Sequence, residues 1–147
     1  MSNVKFTCSK IFKDYPFAHR QPTHDGHCAF IHGHNWDFEI TFAAEKLDGN
    51  GFVIDFGKLD FLKDWLKEKF DHTCVIPSTD PKLETMLQLH RDKLIDLRVL
   101  TSAGCEGLAG IVLEMVNDLV QKHTEGRVNV VEVTLWEDSK NYATARH

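Results

Sequence analysis

Residues 36–42 constrain the fold more than any other stretch of the chain. Trp36, Phe38, Ile40 and Phe42 alternate with Asp37, Glu39 and Thr41. A period of two puts four large apolar side chains on one face of a strand and the polar ones on the other. That face needs a cover, and two helical stripes supply it. A helix capped by Asp55 runs to Phe70, with Leu59, Leu62, Leu66 and Phe70 inward and Phe61 and Trp65 widening the stripe. A second runs from Glu106 to Lys122, with Leu108, Ile111, Met115 and Leu119 inward. Two further strands alternate. In residues 4–12, Val4, Phe6 and Cys8 face away from Lys5, Thr7 and Ser9; in 128–136, Val131, Val133 and Leu135 face away from Glu132, Thr134 and Trp136. Residues 13–34, rich in His, Pro and Gly, read as a long loop, and Asp48-Gly49-Asn50-Gly51 as a turn. Residues 75–100 carry the weakest pattern. Pro77 and Pro81 break it, a short helix over 82–95 points Leu83, Leu87 and Leu94 inward, and an extra strand falls near 97–101. Strands and helices segregate, which predicts an α+β fold with an antiparallel sheet.

The 147 residues fit one domain. Lys+Arg 17 against Asp+Glu 22 gives a net charge of −5, which argues against a nucleic-acid partner but leaves room for a small anionic substrate. No stretch approaches the roughly twenty apolar residues of a membrane span. The first residues have neither the basic region nor the apolar core of a secretory signal. Cys8, Cys28, Cys74 and Cys105 form no CxxC pair and read as reduced thiols. The expectation is a cytoplasmic protein with no membrane partner.

Nine histidines are present, and five of them (His19, His24, His27, His32 and His34) crowd into one segment. His32 and His34 share the parity of Trp36 to Phe42. On a strand, residues two apart point to the same face, so both imidazoles can reach one ion. A third ligand is available from His19, His24 or His27. Three histidines and an open position form a catalytic zinc pattern, and such sets also suit other divalent ions. Cys28, four residues before His32, has two metal-linked readings. As a fourth ligand it closes a structural site; as a free thiol beside a cation it is a base or nucleophile. The bland alternative is a small buried hydrophobe. Asp71-His72 reads either as a carboxylate orienting an imidazole for proton transfer or as a solvated loop. Glu137 continues the parity of Val131, Val133 and Leu135. A carboxylate there wants donors, such as the ring N–H and amino groups of a heterocycle. Glu106 suits the first turn of a helix. His90, His123 and His147 carry no signal.

These motifs resemble a known family. Phe17-Ala18-His19-Arg20, followed by Cys28-x-x-x-His32-Gly33-His34-Asn35, is similar to the 6-pyruvoyltetrahydropterin synthase / 6-carboxytetrahydropterin synthase family. Gly51 to Gly57 resembles its G-hydrophobic-hydrophobic-hydrophobic-D-F segment, Phe70-Asp71-His72 its L-D-H, and Glu137 its late glutamate. Thr101 to Glu106 with Leu108-Ala109 loosely resembles its P-T-x-E-x-L-A.

The resemblance implies a T-fold (tunnelling fold): a four-stranded antiparallel sheet with two helices between strands 2 and 3. Subunits would join into a barrel, typically a homohexamer built as a dimer of trimers, with active sites between subunits. Zinc would be held by His19, His32 and His34. Cys28 would be the acid/base thiol, with Asp71 and His72 as proton-transfer partners. Glu137 would anchor a pterin, helped by the segment containing Thr101, Ser102 and Glu106. The substrate would be 7,8-dihydroneopterin triphosphate. The short Cys28–His32 spacing resembles the carboxy branch, on the route to queuosine, which releases acetaldehyde and triphosphate. The pyruvoyl branch eliminates triphosphate only. A third reading is another reduced-pterin enzyme of this fold, and a fourth a metal-stabilised binding module with Cys28 as ligand. Two departures stand out. Residues 77–100 look like an insertion, and the Thr101–Glu106 segment lacks the proline and adds Cys105, a candidate active-site thiol by position.

Overall fold

The computed structural model describes residues 3–147. The alternating stretch lies in β2 (His32–Ala44), and its four large apolar side chains are fully buried. β2 pairs antiparallel with β1 (Phe6–His19) on one side and with β5 (Asn129–Trp136) on the other. β6 (Tyr142–Arg146) adds antiparallel to β5. Beyond β1 come β3 (Cys74–Pro77) and β4 (Leu97–Leu100), which run parallel to it. The order is β4-β3-β1-β2-β5-β6.

The expected four-stranded antiparallel sheet is therefore a six-stranded mixed one. Parallel neighbours need a crossover, and α2 (Leu83–Arg91) supplies it between β3 and β4. All four residues of β3 are buried, so its sequence shows no alternation. β6 follows a turn in which the Asp138 carboxylate accepts from the backbone N–H groups of Lys140 and Asn141. Three helices, not two, separate β2 from β5: α1 (Asp60–Phe70), α2 and α3 (Cys105–His123).

The loop expected over 13–34 fails at both ends, because β1 continues to His19 and β2 begins at His32. A bulge between Phe12 and Tyr15, with Asp14 at φ 70°, hides the first extension. It shifts the buried parity from Phe12 to Phe17 and His19. The face proposed for residues 4–12 is open at its start, where Phe6 is 40% exposed. A second bulge lies in β5, where Thr41 faces Glu132 but Phe42 faces Val130. Val130, rather than Val131, therefore reaches the core.

Asp55 caps a short 3-10 turn, Phe56–Lys58, by accepting from Gly57 N–H at 2.9 Å; α1 starts afterwards, at Asp60. Its stripe of Leu62, Leu66 and Phe70 is buried as expected, with Leu59 just before it. The α3 stripe is rotated from the expected one. Leu108, Ala109, Val112, Leu113, Val116 and Val120 face the sheet, while Met115 is exposed and Ile111 and Leu119 lie at the margin. In α2 the buried residue is Met86, and Leu94 lies past the helix end, exposed. Cys74, Ile76, Met86 and Leu97 form a small core of their own beside the main one.

Candidate metal centre

The β1 bulge determines what happens at the end of the sheet. By flipping parity, it puts His19 on the same face as His32, its cross-strand partner, and His34. The ring centroids lie 4.6 Å (His19–His32), 5.1 Å (His32–His34) and 5.4 Å (His19–His34) apart. Trp36 forms the apolar floor, its ring 5.0 Å from His19 and 5.4 Å from His34. Trp36 is itself fixed, stacked on Phe17 at 4.3 Å and donating its indole N–H to Phe17 O at 3.0 Å. Glu137, just past β5, brings Oε1 to 3.1 Å from His34 Nε2 and 3.5 Å from His19 Nε2. One ligand atom from each of His19, His32, His34 and Glu137 fits within 4.8 Å of the others. No other such group of three or more ligating side chains occurs among the described residues.

The backbone sets the tautomers. His19 Nδ1 lies 2.6 Å from Ala103 O, and His32 Nδ1 lies 2.7 Å from Phe30 O. A carbonyl only accepts, so in both rings Nδ1 carries the proton and Nε2 keeps its lone pair. Buried Nε2 of His19 and His34 has no hydrogen-bond partner, despite the proximity of Glu137. Burial lowers the His19 pKa; the Ala103 bond and the Glu137 charge oppose that, and the other two histidines reinforce it. Three convergent imidazoles, two with buried Nε2 atoms left unpartnered, beside a carboxylate are a donor set that fits a metal ion.

The other expected site residues are placed differently. Cys28 sits in a 3-10 turn, His27–Ala29, half-buried and outside the ligand group. Asp71 and His72 follow α1, joined by a 3.0 Å contact from His72 Nδ1 to Asp71 Oδ1. His72 has φ 58° and is held by its N–H on Pro16 O at 2.7 Å, with its side chain 80% exposed. No hydrogen bond or ion pair within the chain joins Cys28 to either of them. His24 and His27 are exposed and outside the group; His24 Nδ1 accepts from Gly26 N–H. Thr101 and Glu106 are exposed, and Ser102 packs on Gly107 of α3. It is their neighbour Ala103 that reaches the centre, through its carbonyl. A backbone acceptor leaves no mark in residue type, so no sequence pattern points to it. Cys105 Sγ donates to Leu135 O at 3.2 Å. Its pKa is pushed up to about 12, first by burial and then by the charges of Glu137 and Glu106. It is a neutral thiol, not a nucleophile.

An α+β fold with a histidine-rich centre at one end of a bulged, curled sheet defines a recognisable class. The family model for 6-pyruvoyl tetrahydropterin synthase matches residues 8–147, and the chain belongs to that family. Among curated relatives, 6-carboxy-5,6,7,8-tetrahydropterin synthase of Rickettsia conorii is 37% identical over 76 residues, covering 51% of this chain and 55% of the relative. The chain thus spans about half the length of the first curated relatives it matches. The enzyme of that name from Haemophilus influenzae is 25% identical over 142 residues, covering 90% of this chain and 95% of the other. Among solved structures, an uncharacterized protein from Wolinella succinogenes superposes with a TM-score of 0.82 at 21% identity, covering 99% of both chains. A catalytic-residue mutant of Plasmodium vivax 6-pyruvoyltetrahydropterin synthase gives 0.68 at 18% identity, covering 97% and 98%. These likenesses show the T-fold. No helix among the described residues is long and apolar enough to cross a membrane.

Proposed function

We propose that the protein is a zinc-dependent lyase that converts 7,8-dihydroneopterin triphosphate and one water to 6-carboxy-5,6,7,8-tetrahydropterin, releasing acetaldehyde and triphosphate. The observation that carries the reading is the convergence of His19, His32 and His34 on one point, with two buried Nε2 atoms orphaned. Curated relatives named for this product support the branch. The solved pyruvoyl enzymes support the alternative, in which triphosphate elimination is the only step.

His19, His32 and His34 would hold zinc, which when bound supplies Lewis-acid polarisation of the substrate's side-chain hydroxyls. Glu137 presents Oε1 to the histidines, leaving Oε2 for a donor on the pterin ring. The Cys28 thiol takes and returns the side-chain proton, and Asp71 orients His72 to relay it. Thr101, Ser102 and Glu106 line the approach to the ring. Cys28 and the Asp71–His72 pair are not in contact within one chain, which fits a site completed between subunits of a homohexamer. Residues 1–147 read as one T-fold domain with 77–100 as an insertion, working in the cytoplasm. The net charge of −5 gives the triphosphate no general attraction, so binding relies on local cations.

The test is to incubate the zinc-loaded protein with 7,8-dihydroneopterin triphosphate and identify the products. Acetaldehyde is the expected result. A stable pyruvoyl product selects the alternative, and no turnover in the metal-loaded protein rejects both. A zinc–sulfur distance of about 2.3 Å by X-ray absorption would make Cys28 a ligand and remove it as the acid/base.

A further inference from the structure

The turn that carries Cys28 has few internal restraints. Its own hydrogen bonds are Ala29 N–H on Gly26 O at 3.1 Å and Phe30 N–H on His27 O at 3.0 Å. Its three consecutive carbonyls, however, are each captured from outside. Gln21 N–H donates to Cys28 O at 2.8 Å, Arg20 Nη1 to Ala29 O at 3.2 Å, and His32 Nδ1 to Phe30 O at 2.7 Å. All three donors lie at the strand ends that carry His19 and His32.

Of these donors, Arg20 alone reaches through a long side chain, and that side chain is locked. Its Nε and Nη2 grip the Asp80 carboxylate at 2.7 and 3.1 Å, a two-point fork. Asp80 is 4% exposed, and its Oδ1 also accepts from Lys82 N–H at 2.8 Å. Asp80 belongs to the connection between β3 and α2, in the part of the chain for which the site so far has no use. A buried carboxylate survives only if it is paired and hydrogen-bonded, and the guanidinium meets that need while keeping one N–H directed at Ala29 O.

We propose that Arg20 and Asp80 are positioning residues: the buried Asp80 carboxylate aims the Arg20 guanidinium at Ala29 O and thereby fixes the backbone that presents the Cys28 thiol. The segment between β3 and β4 is then a support of the active site. The inference rests on the reading of Cys28 as the working thiol. The clasp itself can be measured without that reading.

The experiment uses the full-length, metal-loaded protein with Arg20→Lys, Asp80→Asn and the double variant. Lysine keeps the charge but lacks the fork, so it cannot hold Asp80 at two points and Ala29 O together. Asparagine keeps the shape, so one variant remains if the other fails to fold. Amide hydrogen exchange of Gln21, Ala29 and Phe30 is expected to speed up about tenfold in each single variant, with exchange in β2 unchanged. Zinc content stays at the parent level. Turnover falls about tenfold in kcat, with KM within about twofold, because the thiol is displaced rather than the substrate lost. The double variant is no worse than either single one, since both break the same clasp. Parent-like exchange at these three amides in both single variants overturns the proposal, as does faster exchange with unchanged kcat. Faster exchange in a protein whose parent does not turn over the pterin triphosphate supports the clasp and rejects the reaction assigned to it.

Discussion

The two halves of the site are built on different parts of the fold. The metal centre stands on paired strands: His19 and His32 are cross-strand partners, and backbone carbonyls fix two of the three rings. The groups proposed for proton transfer stand on turns. Cys28 rides a 3-10 turn, and His72 occupies a left-handed position after α1 with its ring in solvent. Ligation requires several atoms to converge on one point, which strand pairing provides. Proton transfer requires approach to a substrate, which a turn allows. Within one chain the histidines converge, and Cys28 and the Asp71–His72 pair do not.

Removing a ligand tests the closed half hardest. His34→Ala is expected to lower metal affinity by roughly a hundredfold or more and to abolish turnover. Calorimetric zinc titration checks it; unchanged affinity would remove His34 from the ligand set. Cys28→Ala tests the open half, with metal content retained and kcat down about 10²–10⁴-fold. If metal is lost along with activity, the two halves are one and the comparison fails.

Acidification tests the histidine half through His19. Burial holds the His19 pKa below the ordinary value, so the unfolded chain takes up that proton first. The stability contributed by the neutral ring is complete above about pH 6.5 and declines as pH falls from there through the lower folded value. Denaturant midpoints of the metal-free protein, compared with His19→Gln, should show this slope only in the parent. A parent midpoint flat over that range would contradict it. The smallest effect belongs to Cys105→Ser. A neutral thiol donating to Leu135 O is replaced by a hydroxyl that can donate too, so turnover should change by less than about twofold.

The sequence shows what is periodic and hides what is irregular. Trp36 to Phe42 and the α1 stripe are legible because each keeps one period throughout. The shared parity of His32 and His34 with Trp36 is legible for the same reason. His19 is not placed by spacing, because the bulge before Tyr15 inverts its face; only the family resemblance singles it out. β3 is a short, wholly buried parallel strand with no alternation to read. The α3 stripe is misjudged by one position because Ala109, Val112 and Val116 compete with bulkier Ile111, Met115 and Leu119, and the smaller set packs on the sheet. Glu137 shows its inward parity in the sequence because Glu132 to Trp136 pair with β2 in unbroken register, and the hairpin that follows holds it beside the histidines through its N–H on Asn141 O.

The two orphaned Nε2 atoms have a thermodynamic consequence for the whole chain. Both are buried within reach of the other ligand atoms, and in His19 the Ala103 bond leaves Nε2 as the lone pair, so an incoming ion finds donors already gathered. An ion that binds the folded chain and not the unfolded one shifts the folding equilibrium by mass action, about 4 kcal/mol at a thousandfold excess over its dissociation constant. The melting temperature should then climb with the logarithm of free metal concentration, and chelation should reverse the climb. For this fold, the availability of the ion is a variable of stability as much as of chemistry.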